Sequence, residues 1–358
     1  MSKEMVRVLV VDDSALMRKL IPQIIERDSS IHVVGTAMDG EFALKKIEEL
    51  RPHVITLDLE MPRMDGMETL RNIMRQSRLP VIVVSAHTTL GASATFKALA
   101  LGAFDFVAKP QDALSSQMDA IATELINKIK VASKTRMPKS QPEIPVGRRP
   151  KKTTIKRQPS RKVIAIGIST GGPNALQYVL SQLPADFPAA IVVVQHMPEG
   201  FTELFARRLD ECCAIDVKEA NSGDLLLAGR ALICPGNRHM KVKRMPLGDI
   251  VVLSDEEKVS GHRPSVDVLY RSVAQEFGRD SIGLIMTGMG EDGAEALGEI
   301  KNTGGMTIAQ DEESCVVYGM PRAAIDRGNV VRVVPLDALA NTLVAQCSEK
   351  SRVLVQKD

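Results

Sequence analysis

Apolar residues in the first third of the chain fall into short unbroken runs: VRVLVV (6–11), HVVGTA (32–37), HVITL (53–57), PVIVVS (80–85) and AFDFVA (103–108). Between them lie segments such as ALMRKLIPQIIE and EFALKKIEEL, whose apolar positions recur at three- and four-residue steps. Runs of that length fit strands buried on both faces, and the three-to-four spacing fits amphipathic helices. Strands alternating with helices in this way predict a parallel sheet covered on both sides, a doubly wound α/β domain. Pro22 lies inside the first helical pattern and predicts a local kink.

The alternation resumes at residue 162. KVIAIGI (162–168), AAIVVVQ (189–195), ALICP (231–235), SIGLIM (281–286) and VVRVV (330–334) read as strands. Helices are predicted around 173–182, 200–210, 264–277, 292–303 and 336–347, and 239–253 reads as a hairpin set between parallel elements. Residues 131–161 break the pattern: Pro138, Pro142, Pro145, Pro150 and Pro159 are interleaved with Lys and Arg, and Glu143 is the only acid. Such a segment buries too little apolar surface to offset its ordering entropy, so it reads as an extended basic linker. Its charge suits a solvated tether or contact with an acidic partner. Two doubly wound parallel-sheet domains, 1–130 and 162–350, joined by the linker 131–161, are the expected organisation.

A length of 358 residues agrees with two cores. Lys and Arg number 46 against 44 acids, a net charge of +2, so no global field favours nucleic acid or an anionic membrane. The first apolar run is too short for a signal peptide or a bilayer span, so a cytoplasmic monomer without membrane insertion is expected. Cys212, Cys213, Cys234, Cys315 and Cys347 show no C-x-x-C spacing and read as reduced residues.

In open parallel sheets ligands collect beyond the carboxyl ends of the strands. Asp12 and Asp13 follow the first strand, Asp58 the third, Ser85 ends the fourth and Lys109 follows the fifth. Close carboxylates repel by about 4 kcal/mol per pair even at an effective dielectric near 20, which a hard cation relieves. Asp12, Asp13, Asp58 and the backbone carbonyl of Glu60 form an oxygen set suited to Mg²⁺. Lys109 and Ser85 then supply a charge and a hydroxyl for a phosphoryl group on Asp58.

VVDDSALMR, ITLDLEMPRMDGME, VVSA and GAFDFVAKP resemble the signature segments of response-regulator receiver domains, over residues 5–128. The resemblance implies phosphorylation of Asp58 by a histidine kinase, Mg²⁺ held by Asp12, Asp13 and Asp58, and a switch in which Ser85 and Phe106 repack.

In the second half, the first strand runs into Gly167-Ile168-Ser169-Thr170-Gly171-Gly172-Pro173. A strand, a glycine-rich turn and a helix start put Ser169 where N–H groups and the helix dipole favour negative charge. Such a turn cradles a phosphate or presents a serine nucleophile. His196 follows the next strand and Asp292 lies just after SIGLIM, whereas His239 and His262 fall in loops. A serine, a histidine and an aspartate from three strand ends make a nucleophile, a base and an orienting carboxylate. Their chain order departs from that of α/β-hydrolases, which argues for convergent chemistry on another fold.

GISTGGPNAL, VVVQHMPEGFTELFARRL, ICPGNRHM, HRPSVDVLYRSVA and MTGMGEDGAEAL resemble the catalytic domain of the bacterial chemotaxis receptor methylesterases, the CheB family, over about 160–350. The resemblance implies a Rossmann-like domain with catalytic Ser169, His196 and Asp292, supported by Thr170 and the Met289 backbone. It implies hydrolysis of γ-glutamyl methyl esters on methyl-accepting chemotaxis receptors and deamidation of particular glutamines, with no cofactor for hydrolysis. Arg207, Arg208, Arg238 and Arg263 are candidates to orient an acidic receptor helix. Two other outputs were weighed. A DNA-binding output needs a compact basic helix-turn-helix, and none is visible in residues 163–358. A nucleotide switch on GISTGG lacks the lysine that reaches phosphates.

Overall fold

The valine-rich run Val8–Val11 is at most 1% exposed, and Val54, Ile55 and Leu57 are fully buried, as strands covered on both faces require. A computed structural model describes residues 5–85, 89–109, 117–135 and 157–348. The chain divides into two compact units. The first runs β1 (Val6–Val11), α1 (Ala15–Ile25), β2 (Ile31–Ala37), α2 (Gly40–Leu50), β3 (Val54–Leu57), α3 (Gly66–Gln76), β4 (Val81–Ser85), α4 (Thr89–Leu101), β5 (Asp105–Ala108) and α5 (Gln117–Ala132). Its sheet is parallel, in the order β2-β1-β3-β4-β5. The helices begin where short polar residues can accept the orphan first-turn N–H groups. Ser14, Asp39 and Asp65 cap α1, α2 and α3 in this way. α1 continues through Pro22 to Ile25. A Cβ at Gly66 would lie 2.1 Å from the Asp58 carbonyl oxygen, so only glycine lets α3 start against the end of β3.

Most of the predicted linker, residues 136–156, lies outside the described residues. Its last residues are bonded to the second unit: Arg157 Nε lies 3.0 Å from Asp216 Oδ2, and the Ser160 N–H donates to the Leu226 carbonyl.

The second unit contains β6 (Lys162–Ile168), α6 (Gly172–Ser181), β7 (Ala189–Gln195), α7 (Phe201–Cys212), β8 (Asp216–Glu219), β9 (Arg230–Ile233), β10 (His239–Lys243), β11 (Ile250–Ser254) and α8 (Val266–Phe277). It continues with β12 (Ser281–Ile285), α9 (Ala296–Asn302), β13 (Met306–Gln310), α10 (Met320–Asp326), β14 (Arg332–Val334) and α11 (Leu336–Cys347). Seven strands pair in parallel, in the order β14-β13-β12-β6-β7-β9-β8. The predicted hairpin is the antiparallel pair β10–β11, a sheet of its own. Met240, Val242 and Val251 from it join Leu269, Tyr270 and Val273 of α8 in one buried cluster over the main sheet. The Tyr270 hydroxyl, wholly buried there, donates to the Leu284 carbonyl at 2.6 Å. β8, β13 and α10 were not among the predicted elements. β8 reads DVKE and is a mostly half-buried edge strand, while β13 is a five-residue run between Gly305 and Asp311, too short for periodicity to assign.

None of the five cysteines forms a disulfide. No helix among the described residues is long and apolar enough to cross a membrane.

Candidate active site and phosphoacceptor site

Sequential strands β6 and β7 lie side by side, while β12 lies on the other side of β6. The chain therefore turns in opposite directions from β6, and the crevice at such a reversal is where open α/β sheets bind ligands. Register ends with Ile168 beside Gln195, so Ser169 and His196 leave neighbouring strands together, and the His196 N–H donates to the Ile168 carbonyl at 3.1 Å. The Ser169 N–H donates to the Thr287 carbonyl at 3.0 Å, fastening the serine to the chain beyond β12 as well. Gln195, 2% exposed, donates from Nε2 to the Ser169 carbonyl at 3.0 Å and to the His196 carbonyl at 3.2 Å. One buried amide thus holds the backbone of both residues. No role for Gln195 was read from the sequence, although it closes the strand that delivers His196.

His196 Nε2 lies 2.8 Å from Asp292 Oδ2. Nδ1 of the same ring is buried without a hydrogen-bond partner. A carboxylate accepts only, so Nε2 carries the proton and Nδ1 is the free base. The Ser169 hydroxyl has no hydrogen-bond partner among the described residues, and Ser169 lies in the turn that leads into α6, its carbonyl accepting the Gly172 N–H at 2.8 Å.

Asp292, 2% exposed, is met by the first turn of α8. Its Oδ1 accepts from the Ser265 hydroxyl at 2.7 Å and the Asp267 N–H at 3.2 Å, and its Oδ2 accepts from the Val266 N–H at 2.7 Å. Burial alone would raise its pKa; His196 and these donors together hold it well below the ordinary carboxylate range. The carboxylate is therefore charged at neutral pH and fixes the His196 tautomer.

Both histidines expected in loops are close to this centre, although His239 opens β10 rather than lying in a loop. His239 is fully buried: its Nδ1 accepts the Ser265 N–H at 3.2 Å, leaving Nε2 to donate to the Glu257 carbonyl at 3.0 Å. It thereby holds Ser265 against Asp292. The His262 ring stacks on His196, with centroids 3.9 Å apart and planes 3° from parallel. The stretch HRPSVDVLYRSVA carried both His262 and Ser265, but spacing alone gives neither a neighbour.

Thr170 is buried, and its carbonyl accepts the Thr287 hydroxyl at 3.0 Å. The Met289 N–H makes no hydrogen bond among the described residues, which leaves it available as a donor. The four arginines are each engaged within the unit. Arg207 pairs with Glu203, Arg208 Nε lies 3.4 Å from Gln177 Oε1, Arg238 binds Asp255 through two nitrogens, and Arg263 binds Asn237 Oδ1.

In the first unit Asp58, 3% exposed, follows β3. Lys109 Nζ lies 2.7 Å from Asp58 Oδ2 and 2.9 Å from Asp12 Oδ2. One oxygen from each of Asp12, Asp13 and Asp58 lies within 4.8 Å of the others. The buried Asp12 Oδ2 accepts no well-directed hydrogen bond despite the nearby ammonium. An all-oxygen set with a lone pair to spare fits a small hard dication. The Glu60 N–H points at Asp58 Oδ1 from 3.3 Å, which sets the Glu60 backbone beside the same carboxylate. Burial raises the Asp58 pKa, an effect that Lys109 only partly offsets. Ser85 ends β4 and donates to the Gly91 carbonyl at 3.1 Å. Phe106 is buried on β5, where Lys128, unforeseen from sequence, donates to its carbonyl at 2.6 Å and stands 5.4 Å from its ring centroid.

The response regulator receiver domain family matches residues 8–119, and the CheB methylesterase family matches residues 164–343. The protein-glutamate methylesterase/protein-glutamine glutaminase 2 of Koribacter versatilis is 65% identical over 348 residues, covering 95% of this chain and 96% of that protein. The protein-glutamate methylesterase/protein-glutamine glutaminase of Pyrococcus horikoshii is 46% identical over 95% of this chain and 93% of its own length. Among solved structures, the Thermotoga maritima CheB methylesterase catalytic domain is 39% identical with a TM-score of 0.51, covering 52% of this chain and 98% of that one. A Ser, a His and an Asp beyond strand ends in one unit, an acidic strand-tip cluster in the other, and relatives matched over nearly their whole length agree: the chain belongs to the receiver-coupled protein-glutamate methylesterase/protein-glutamine glutaminase family.

Proposed function

We infer that this chain demethylates γ-glutamyl methyl esters on methyl-accepting chemotaxis receptors, deamidates particular receptor glutamines, and is controlled by phosphorylation of Asp58. The observation that carries the hydrolytic reading is the His196 ring, with Nε2 on a buried, charged Asp292 and Nδ1 unpartnered. A base so oriented can take only one proton, at Nδ1, and Ser169 follows the strand paired with the one that His196 follows, which supports it as the nucleophile.

Ser169 Oγ attacks the ester carbonyl carbon while its proton passes to His196 Nδ1. Asp292 stabilises the imidazolium. The C–O bond to the methoxy group then breaks, and the proton held on Nδ1 leaves with it as methanol. Water adds to the acyl-serine through the same base and releases the glutamate side chain. A glutamine substrate follows the same path with ammonia leaving. The Met289 N–H and the backbone around Ser169 and Thr170 are the donors for the oxyanion, each such donor typically worth about 10²–10³ in rate.

In the receiver domain, Asp12, Asp13, Asp58 and the Glu60 carbonyl would hold Mg²⁺. When bound, the ion would supply positive charge that offsets the carboxylates and an incoming phosphoryl group. Lys109 pairs with the phosphoryl group on Asp58, Ser85 offers its hydroxyl, and Phe106 repacks with it. A chemotaxis histidine kinase is the phosphodonor.

Methanol release from methylated receptor membranes tests the reading. Ser169→Ala should abolish it, and unchanged release would sink the serine mechanism.

A further inference from the structure

The Asp292 hydrogen bond fixes His196 at one atom only. A ring held at Nε2 alone can still swing about that bond, and the unpartnered Nδ1 does not stop it. A second restraint is the His262 ring, which lies face to face with it, 3.9 Å away and 3° from parallel. We propose that His262 is a positioning residue for hydrolysis: by lying flat on His196 it holds the base in the plane that aims Nδ1 at Ser169. The proposal rests on the serine mechanism set out above.

The mounting of His262 suits this task. Val259 and His262 exchange two backbone hydrogen bonds, at 2.9 and 3.1 Å, across Ser260 and Gly261, whose φ angles are +53° and +80°. Two consecutive positive φ values in a two-residue connection make the tightest hairpin turn. On the other side, Arg263 is tied to Asn237 Oδ1 and to the Asp255 and Glu256 carbonyls. Three residues after His262, Ser265 donates to Asp292. One short segment therefore braces His196 by its face and the Asp292 carboxylate by its oxygen.

The stack also favours the charged form of the base. A parallel pair of neutral rings at this separation gains little from its quadrupoles, whereas a cation over a neutral aromatic face is attracted to it. His196 becomes a cation only as the proton transfers, so the contact is stronger in the transition state than before it. This requires a neutral His262. The titratable neighbours that act on it are His196, Asp292 and Lys258, and burial with His196 alongside lowers its pKa to about 4.

Full-length His262→Ala, His262→Phe and Ser169→Ala proteins distinguish the possibilities, each assayed for methanol release across pH, with ¹⁵N NMR of the His196 ring. His262→Ala should lower kcat by about 10- to 100-fold, with KM within about twofold. His262→Phe, which restores a flat face without nitrogens, should recover kcat to within about threefold. The His196 nitrogens should report a single Nε2–H tautomer in wild type and His262→Phe, and an averaged ring in His262→Ala. Wild-type kcat in His262→Ala overturns the proposal. So does His262→Phe as slow as His262→Ala with the tautomer intact, because a ring nitrogen would then be required. Should the alanine variant not fold, the phenylalanine variant and its NMR spectrum decide alone. Release that persists in Ser169→Ala removes the serine mechanism itself, whatever the His262 variants do.

Discussion

At the scale of single residues, the centre is governed by what each polar atom has left to bind. Asp292 takes three donors besides His196, and the Ser265 hydroxyl is the side-chain donor among them. A hydrogen bond to a charged group is worth about 1.5–3 kcal/mol, so Ser265→Ala should lower kcat roughly tenfold and lower the melting temperature by several degrees. Stopped-flow or steady-state methanol release measures the first and thermal unfolding the second. His262 allows a separate test through acid stability. In the unfolded chain it binds a proton near pH 6.5, but in the folded protein only near pH 4. As pH falls from about 6.5 to 4 the unfolded state therefore binds the extra proton, and stability drops by up to about 3 kcal/mol. Above pH 6.5 the residue contributes nothing to pH dependence. Denaturant midpoints at pH 7 and 4.5 should separate less in His262→Phe than in wild type; equal separations would show that His262 is not held neutral by the fold.

At the scale of elements, the start of α8 is the part that turns three strand tips into a centre, since Val266 and Asp267 donate to Asp292 and Ser265 caps the approach. Gly293, beside Asp292, has φ +86°, and a Cβ there would lie 2.4 Å from Val266 Cγ1. Gly293→Ala should therefore destabilise the second unit by about 1–3 kcal/mol and lower kcat together, because α8 can yield only by moving off Asp292. Calorimetry and methanol release check both; a variant as stable and active as wild type would refute the role given to α8.

Much of this was readable in the sequence, and the limit is physical. Ser169, His196 and Asp292 were candidates because Ser169 and His196 directly follow apolar runs and Asp292 lies in the loop after another, and a parallel sheet gathers such ends at one edge. His262, Ser265 and Gln195 were not, because their roles depend on which side chain lies opposite, and no periodicity encodes that. Strands such as β8 and β13 escaped for the converse reason, being too polar or too short to leave a pattern.

At the scale of the whole molecule, a phosphoacceptor in one unit controls an ester hydrolase in the other. Asp58→Asn keeps the size of the side chain and removes its nucleophilic charge. It should leave basal methanol release intact and abolish its increase by a small acyl phosphate with Mg²⁺. Persisting stimulation would place the control elsewhere. An equilibrium moved from mostly inactive to mostly active requires several kcal/mol of difference between phosphorylated and unphosphorylated states. The buried Asp58, Lys109 and Asp12 cluster, with Lys128 behind Phe106, is where such a difference can be generated.

The most direct measurement of the central claim is methanol release from methylated receptor membranes by wild-type and Ser169→Ala full-length protein, each with and without a small acyl phosphate and Mg²⁺. The account predicts release by wild type that rises with the phosphodonor, and none from Ser169→Ala in either condition. Release by Ser169→Ala at the wild-type rate would contradict it.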